Sequence, residues 1–366
     1  MAIMGSVAQW VWDEKFWLPS NYSWADFKST GSVPKPQFSD LYIVPALATL
    51  ILFIRVIFER FIALPFCIYA GIQDVKRPVE RNPICEKVFS VTPNPSEDHI
   101  EGLAKQLDCS AQKVDRWFRK RRSLVKQSIM KKATETCWRC LLYFVLFVYG
   151  CTTLLPTEWF WDSREWVKGY VREQPFTAAF KWYYLIELSF YTSLLFSQFL
   201  DHKRKDFWQM FLHHIVTILL IAFSFTIGHF RIGVVIMFLH DASDYWLEAA
   251  KITNYMKLQR VCDGIFVIFA IMFYLTRWMY FPFVVLPAMT YTTVEIHGPF
   301  PSHSIFAVLL YILQLLHVYW GYLVGRMIYQ FTVVGKVEKD TRSEDETSDD
   351  EEKEQKAANN IKKKKQ

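Results

Sequence analysis

The sequence has little charge and lacks any cysteine pattern typical of a disulfide framework. Asp, Glu, Lys and Arg together make up only 21% of the 366 residues. The seven cysteines are odd in number, and no second ligand pair follows the spacing Cys137-Trp-Arg-Cys140. Both facts argue against a disulfide frame and against a zinc or redox site. The first residues also lack a basic start followed by an apolar core, so we expect no cleavable signal peptide.

Long apolar runs lie between the charged segments, and hydrophobic residues make up 52% of the sequence. A transmembrane helix needs about 20 mostly apolar residues. Runs of this kind occur at 41–62, 140–157, 181–200, 207–227, 232–251, 262–282 and 304–331. We therefore predict an all-α, multi-pass membrane protein with about seven transmembrane helices.

Basic residues predict the orientation of these helices. They cluster before the second run, between the third and fourth runs, and between the fifth and sixth runs. With seven helices all three clusters fall on one side, which the positive-inside rule makes cytosolic. The amino terminus is then lumenal and the carboxyl terminus cytosolic. The sequon Asn21-Tyr22-Ser23 agrees with this topology, and Asn21 is the predicted glycosylation site.

The segment 66–130 is polar and predicts a small cytosolic helical module. Ser96 and Ser110 can each cap a helix. The second of these helices includes KVDRWFRKRR, from Lys113 to Arg122. That stretch resembles the recognition helix of a homeodomain, and the resemblance extends over the last two homeodomain helices.

The homeodomain resemblance gives roles to individual residues of this module. Trp117 and Phe118 would be core residues, and Arg121 and Arg122 would contact phosphates. Lys120 stands where homeodomains carry the asparagine that reads adenine, so the main base contact is missing. We therefore favour a basic face directed towards anionic lipid or coenzyme over sequence-specific DNA binding, and we expect no nucleic-acid partner.

Ionisable residues occur inside two neighbouring apolar runs. The fourth run contains His213 and His214, and the fifth contains His240, Asp241 and Asp244 in the order HDASD. Ionisable groups within a bilayer are costly, and they usually face a bundle interior or a water-filled cavity at a functional site. These residues are the strongest indication of function in the sequence.

Spacing predicts how these groups meet. His213 and Asp244 each lie roughly 10 Å from the cytosolic end of their helix, and antiparallel packing brings them to one level. His213 shares a helix face with Thr217, whereas the fifth run presents a polar stripe that continues to Glu248 and Lys251. A carboxylate that holds a histidine makes it a better base or nucleophile. The structural alternative is that these groups only pair with one another and hold the helices together.

A metal site is a further alternative for the histidines, but adjacent helical residues diverge by about 100°. We therefore predict no metal. The favoured interpretation is a membrane enzyme with a histidine–carboxylate site that opens to the cytosol. Basic loops at its mouth suit a phosphate-bearing substrate such as acyl-CoA. The predicted head-group contacts are Lys203, Arg204, Lys205 and Arg260.

Two stretches carry a resemblance to a known family. They are FSQFLDHKRKDFWQMFLHHIVT and FLHDASDYWLEAAKITNY, and they resemble the signature of ceramide synthases within the TRAM-LAG1-CLN8 (TLC) domain. The N-terminal FWLPSNYSWADF and the homeobox-like segment also resemble the animal members. The resemblance places a TLC domain with six helices at 131–332 and the homeobox-like segment at 66–130. The apolar runs and loop charges give a lumenal segment at 1–40 and a first transmembrane helix at 41–62. The tail at 333–366 is polar, so we expect it to be disordered.

The resemblance implies transfer of a fatty acyl group from acyl-CoA to a sphingoid base, giving ceramide or dihydroceramide. Acyl-CoA is then a co-substrate, and no cofactor is implied. The family's catalytic positions map onto His213, His214, Asp241 and Asp244. His213 would take up the acyl group as an acyl-imidazole or act as general base, with Asp244 orienting it. Asp241 and His240 would support the amine, with Thr217 and Glu248 nearby.

The resemblance also implies a determinant of chain length, and the tail residues predict modification and location. A stretch in a lumenal loop at about 283–303 would tune acyl length, through Leu286, Met289, Tyr291, Glu295 and Ile296. Membrane lipid and a homo- or heterodimer with related synthases are the further partners expected. In the tail, acidic neighbours make Ser343, Thr347 and Ser348 predicted phosphorylation sites. Lysines at the third and fourth positions from the end match an endoplasmic-reticulum retrieval signal.

Two other functions remain open from the sequence. One is a non-enzymatic TLC-domain protein that binds lipid or associates with the translocon, which would not require the histidine pair and HDASD. The other is a membrane-tethered transcription regulator, against which Lys120 counts.

Overall fold

The computed structural model describes residues 12–29, 34–73, 79–125, 128–201 and 205–334. Every regular element within these ranges is helical. The long helices, in chain order, are α1 (Phe38–Tyr69), α2 (Pro83–Val91), α3 (Glu97–Gln106), α4 (Ala111–Val125), α5 (Ile129–Leu154), α6 (Ala178–Ser197), α7 (Phe207–Thr226), α8 (Phe230–Tyr255), α9 (Gln259–His297) and α10 (Pro301–Val334).

The predicted all-α membrane architecture is confirmed, and each of the seven apolar runs overlaps a long helix. Within the described residues, 5 helices are long and apolar enough to cross a membrane: α1, α5, α7, α9 and α10. The two others, α6 and α8, carry Glu187 and the HDASD group, which lower their hydropathy. Both are also largely buried among their neighbours. The count of seven membrane spans therefore stays a prediction.

Helix α9 corrects the predicted loop at about 283–303. The helix continues through π-helical turns at Tyr274–Val285 and Ala288–Thr292, and it ends only at His297. Proline removes a backbone donor, so α-helical hydrogen bonding cannot continue unchanged at Pro282; wider turns accompany it here. Gly298 then takes a positive φ of 76° and stops the helix.

The chain divides into two compact units, and the smaller one contains Ile68–Lys132. Its helices α2, α3 and α4 enclose a core of Cys85, Leu103, Ala104, Val114 and Phe118. Ser110 caps α4 through a hydrogen bond from the backbone N–H of Lys113 to its Oγ, at 3.3 Å. The sequence predicted two helices in this module, and α2 is the one that was missed.

The side chains of the predicted phosphate contacts in this module are engaged within the module itself. Arg121 Nε donates to Glu86 Oε1 at 2.8 Å, and Arg122 Nη1 donates to the carbonyl of Pro93 at 3.0 Å. Phe118 is fully buried, as predicted, whereas Trp117 is only partly buried. These contacts bind α4 to the rest of the module.

The larger unit contains the long apolar helices and the N-terminal segment. Leu18 and Phe27 pack with Tyr170 and Val171 in a separate small core. Ser302, near the start of α10, donates its hydroxyl to the carbonyl of Trp17 at 2.8 Å. The N-terminal segment is thereby fixed to the end of the bundle where α10 begins.

Candidate functional site

Helix α7 directs its two adjacent histidines towards different neighbours. His213 is 8% exposed and His214 is 5% exposed. The Nδ1 atom of His213 lies 3.5 Å from Thr217 Oγ1, and its ring meets Trp320 of α10 edge-on, with 5.3 Å between ring centroids. His214 Nδ1 instead lies 2.9 Å from Gln198 Oε1. The Nδ1 atoms of the two histidines therefore have different partners, one on α7 itself and one just after α6.

His240 of α8 is paired with a histidine of α10. Its Nε2 lies 2.9 Å from Nε2 of His317. Its Nδ1 lies 2.7 Å from the carbonyl of Ile236, which can only accept, so Nδ1 carries a proton. In a neutral ring Nε2 is then the acceptor, and His317 donates to it. Arg277 Nη2 donates to the carbonyl of His240 at 3.1 Å and fixes this arrangement from α9.

Asp244 has a different partner from the one that its depth predicted. Arg277 Nη2 donates to Asp244 Oδ1 at 2.5 Å, and both side chains are largely buried. Within the described residues the structure shows no hydrogen bond from His213 to this carboxylate. A buried carboxylate is costly unless a full opposite charge compensates it. Arg277 supplies that charge, so Asp244 is paired with α9, whereas the sequence prediction paired it with His213.

Asp241 faces α6. Tyr183 donates its hydroxyl to Asp241 Oδ2 at 3.3 Å. Glu187 is fully buried. The carboxylate oxygens of Glu187 have no hydrogen-bond partner within the described residues. Asp241 of α8 and Glu187 of α6 thus place two buried carboxyl groups on neighbouring helices.

Glu248 belongs to an ionic network at the end of α8, where that helix meets α5. Its carboxylate pairs with Arg139 at 3.2 Å and with Lys251 at 2.5 Å. Arg139 also approaches Asp201 at 3.5 Å, and Arg55 of α1 contacts Asp201 at 2.6 Å. The polar residues predicted to form one stripe on α8 thus have partners on four different helices. These partners are Tyr183 of α6, Arg277 of α9, His317 of α10 and Arg139 of α5.

An apolar cavity begins beside the histidines. Thr217 and His240 lie at its near end, and Ser224, Met289 and Phe306 lie towards its far end, as the directions of α7 and α10 require. The remaining lining residues are Tyr191, Leu220, Ile221, Ile232, Gly233, Ile236, Met237, Leu310 and Leu313. The near end is polar and the walls are aliphatic, so the cavity suits a linear hydrocarbon chain with a reactive head group.

The other predicted site residues are more scattered. Lys205 and Arg260 are exposed, whereas Lys203 and Arg204 lie outside the described residues, as do Ser343, Thr347 and Ser348. Asn21 is exposed. In the predicted length-tuning stretch only Met289 lines the cavity; Leu286 is buried without lining it, and Tyr291, Glu295 and Ile296 are exposed.

Three buried ionisable residues of this region were missed from the sequence. His317, Arg277 and Glu187 lie in the apolar runs 304–331, 262–282 and 181–200. The rule that singled out His213 applies equally to them, since each is an ionisable group inside a predicted span. Applying it to every run would have found all three. No group of three or more His, Cys, Asp or Glu residues within the described part of the chain is arranged to hold a metal ion.

Comparison with known proteins finds two family models and a set of relatives. The TLC-domain model matches residues 132–326, and the homeodomain model matches 84–127, which takes in nearly all of α2. Human ceramide synthase 5 is 46% identical over 93% of this chain and 87% of its own length. Human ceramide synthase 4 is 39% identical over 94% and 88%. The Caenorhabditis elegans ceramide synthase hyl-1 is 29% identical over 92% and 84%.

Proposed function

The chain belongs to the ceramide synthase family, and we propose that its acyl transfer takes place at His213, at the near end of the apolar cavity. As a ceramide synthase it joins the acyl group of a fatty acyl-CoA to the amine of a sphingoid base, such as sphinganine or sphingosine. The product is ceramide or dihydroceramide. One observation supports the site most strongly: the cavity wall reaches Thr217, which is hydrogen-bonded to His213.

The reaction needs a group that moves a proton or carries the acyl chain. The amine nitrogen forms a bond to the thioester carbonyl carbon, the carbon–sulfur bond breaks, and coenzyme A leaves with the electron pair. The proton lost by the amine ends on the departing sulfur. His213 can carry this proton, or it can first take the acyl group as an acyl-imidazole and pass it to the amine. A hydrogen bond at Nδ1 leaves Nε2 available for either role.

The surrounding residues support this centre. The His240–His317 pair and the Asp244–Arg277 salt bridge hold α8, α9 and α10 together around the near end of the cavity. The acyl chain would extend along the aliphatic walls towards Phe306, away from the coenzyme. A protein that only bound lipid could use the same cavity, but it would gain nothing from buried imidazoles at one end, because burying polar groups is costly.

The topology and location belong to the same proposal. The protein spans a membrane; we further propose that it resides in the endoplasmic reticulum with a lumenal amino terminus and a cytosolic carboxyl terminus. We also propose a glycan on Asn21, which is exposed, and phosphorylation of Ser343, Thr347 and Ser348. The proposal further includes dimerisation with related synthases. Glycosidase digestion, selective permeabilisation with a C-terminal tag, phosphatase treatment and crosslinking test these points separately.

The activity is tested by incubating purified protein with sphinganine and single acyl-CoA species, with the product identified by mass spectrometry. Ceramide formation supports the function, and its complete absence across the panel would overturn it. Acyl-CoA supplied without sphinganine tests the covalent route. Peptide mass spectrometry should then find an acyl adduct on His213, and failure to detect one in active enzyme would favour direct transfer.

A further inference from the structure

The far end of the cavity is closed by two buried side chains from different helices. Phe306 of α10 is 3% exposed, and Met289 of α9 is fully buried. Phe306, Leu310 and Leu313 follow one another along one face of α10, and His317 is the next residue on that face. Eleven residues separate His317 from Phe306, which corresponds to roughly 16 Å of helix. The polar centre and Phe306 therefore mark opposite ends of the cavity.

Phe306 is supported from behind. Its ring centroid lies 5.7 Å from that of His229, and His229 stacks on Phe300 at 6.1 Å. His229 is 2% exposed, and its Nε2 has no hydrogen-bond partner within the described residues. A ring packed against other rings cannot rotate away when a chain presses on it. Phe306 is thus held on that side by a cluster of buried rings.

A hydrogen bond ties the two halves of this wall together. His303, one turn before Phe306 on α10, donates from Nε2 to the carbonyl of Met289 at 2.7 Å. This bond fixes α9 against the start of α10 at the depth of Phe306. The separation between Met289 and Phe306 is then fixed by this hydrogen bond to the backbone of Met289 as well as by side-chain packing.

We propose that Phe306, backed by His229 and tied to Met289 through His303, is the wall that sets the longest acyl chain this protein accepts. The inference rests on the proposed function, because it takes the cavity as the acyl site. It adds a specificity-determining residue that lies outside the stretch 286–296. One methylene too many in an apolar pocket costs roughly 10-fold or more in kcat/KM, so a fixed wall gives a sharp upper limit.

The test is a competition assay in which purified full-length protein receives sphinganine and an equimolar mixture of acyl-CoA lengths. Phe306→Ala should move the product distribution towards longer chains, and Phe306→Trp should move it towards shorter ones. For the first acyl chain that is one methylene too long for the wild-type cavity, Phe306→Ala should raise its share relative to the longest accepted chain by roughly 10-fold or more. Ile305→Ala is the matched control, because Ile305 precedes Phe306 on α10 but is 38% exposed. It should leave the distribution unchanged.

His303→Ala tests the hydrogen bond between α10 and α9, while the side chains of Phe306 and Met289 remain in place. Loss of its hydrogen bond to Met289 should broaden the distribution without moving its maximum. If Phe306→Ala does not fold, Phe306→Leu replaces it, with a smaller shift in the same direction. An unchanged distribution in active Phe306 variants overturns the inference and leaves the function standing. A wild-type protein that forms no ceramide from any acyl-CoA overturns the function itself.

Discussion

The three-helix module and the helical bundle treat charge in opposite ways. In the module, charged residues stay at the surface; Arg119 and Asp115, for example, pair at 3.0 Å with side chains 38% and 40% exposed. In the bundle, Arg277 and Asp244 pair at 2.5 Å with side chains 9% and 17% exposed. Exposed pairs contribute about 0–1 kcal/mol, whereas buried charges carry a penalty of several kcal/mol each. Charged groups that remain buried in spite of this cost usually mark a functional site in a membrane protein. We therefore place the chemistry in the bundle.

The largest expected effect comes from removing the central imidazole. His213→Ala should lower kcat/KM for ceramide formation by roughly 10²–10⁴-fold, because a positioned acid–base group contributes about that much. The protein should still fold and insert, since the change removes no buried charge pair. His297→Ala is the control; its ring donates to the carbonyl of Val167, far along α9 from the site. Near-normal turnover by His213→Ala would contradict the assignment.

A buried ion pair should be costly to break and inexpensive to replace. Arg277→Met leaves the carboxylate of Asp244 buried without its partner, and we expect a loss of about 3–5 kcal/mol in the free energy of unfolding. The double variant Arg277→Met/Asp244→Leu should recover most of that loss without recovering activity. Thermal unfolding in detergent measures both effects. A single variant as stable as the wild type would show that Asp244 is compensated elsewhere.

The module should respond as an ordinary soluble core does. Phe118 is fully buried in the module's own core, so Phe118→Ala should destabilise the module by about 3–5 kcal/mol. Limited proteolysis should then cut within α2 to α4, while acyl transfer in the bundle continues. Val91→Ala, at an 82% exposed position, is the control. Loss of activity together with the module would show that the two units depend on each other.

The same contrast explains how far the sequence could predict this protein. Apolar length alone indicates α1, α5, α7, α9 and α10, and the cost of buried charge directs attention to His213 and His240. The pairing of those charges could not be read from spacing. Asp244 meets Arg277 across 33 residues and His240 meets His317 across 77, and such contacts depend on how helices pack. The position of a residue along a span fixes its depth in the membrane, but it does not fix which neighbouring helix its side chain faces.

The resemblance to ceramide synthases supplied what packing could not, namely the reaction and the stretch 286–296. The placement of that stretch in a loop was wrong, and it came from the apolar runs, since the run at 262–282 was taken to end before the stretch. Helix α9 continues through it with π-helical turns, and only Met289 of the residues singled out there reaches the cavity. Phe306 was not recognised because a phenylalanine in an apolar helix is unremarkable until its neighbours are known.

The smallest expected effect concerns a charge pair outside the bundle. Arg172 binds Asp26 with two hydrogen bonds, at 2.9 and 3.0 Å, and fixes the N-terminal segment that carries Asn21. The hydrogen bond from Arg172 is the main cause that lowers the pKa of Asp26 below its ordinary value. A lowered folded-state pKa gives stability that is present above the pKa of the unfolded chain and is lost as pH falls through the folded-state value.

Asp26→Asn should therefore lower the melting temperature slightly at about pH 7 and leave it unchanged at a pH below the lowered pKa, where the wild-type carboxyl is also neutral. Added salt should weaken the difference, since the pair is partly exposed. Glu173→Gln, which removes one negative charge beside Arg172, is the matched control and should show no such pH dependence. A difference between wild type and Asp26→Asn that persists in acid would contradict a role for Asp26 that depends on its charge.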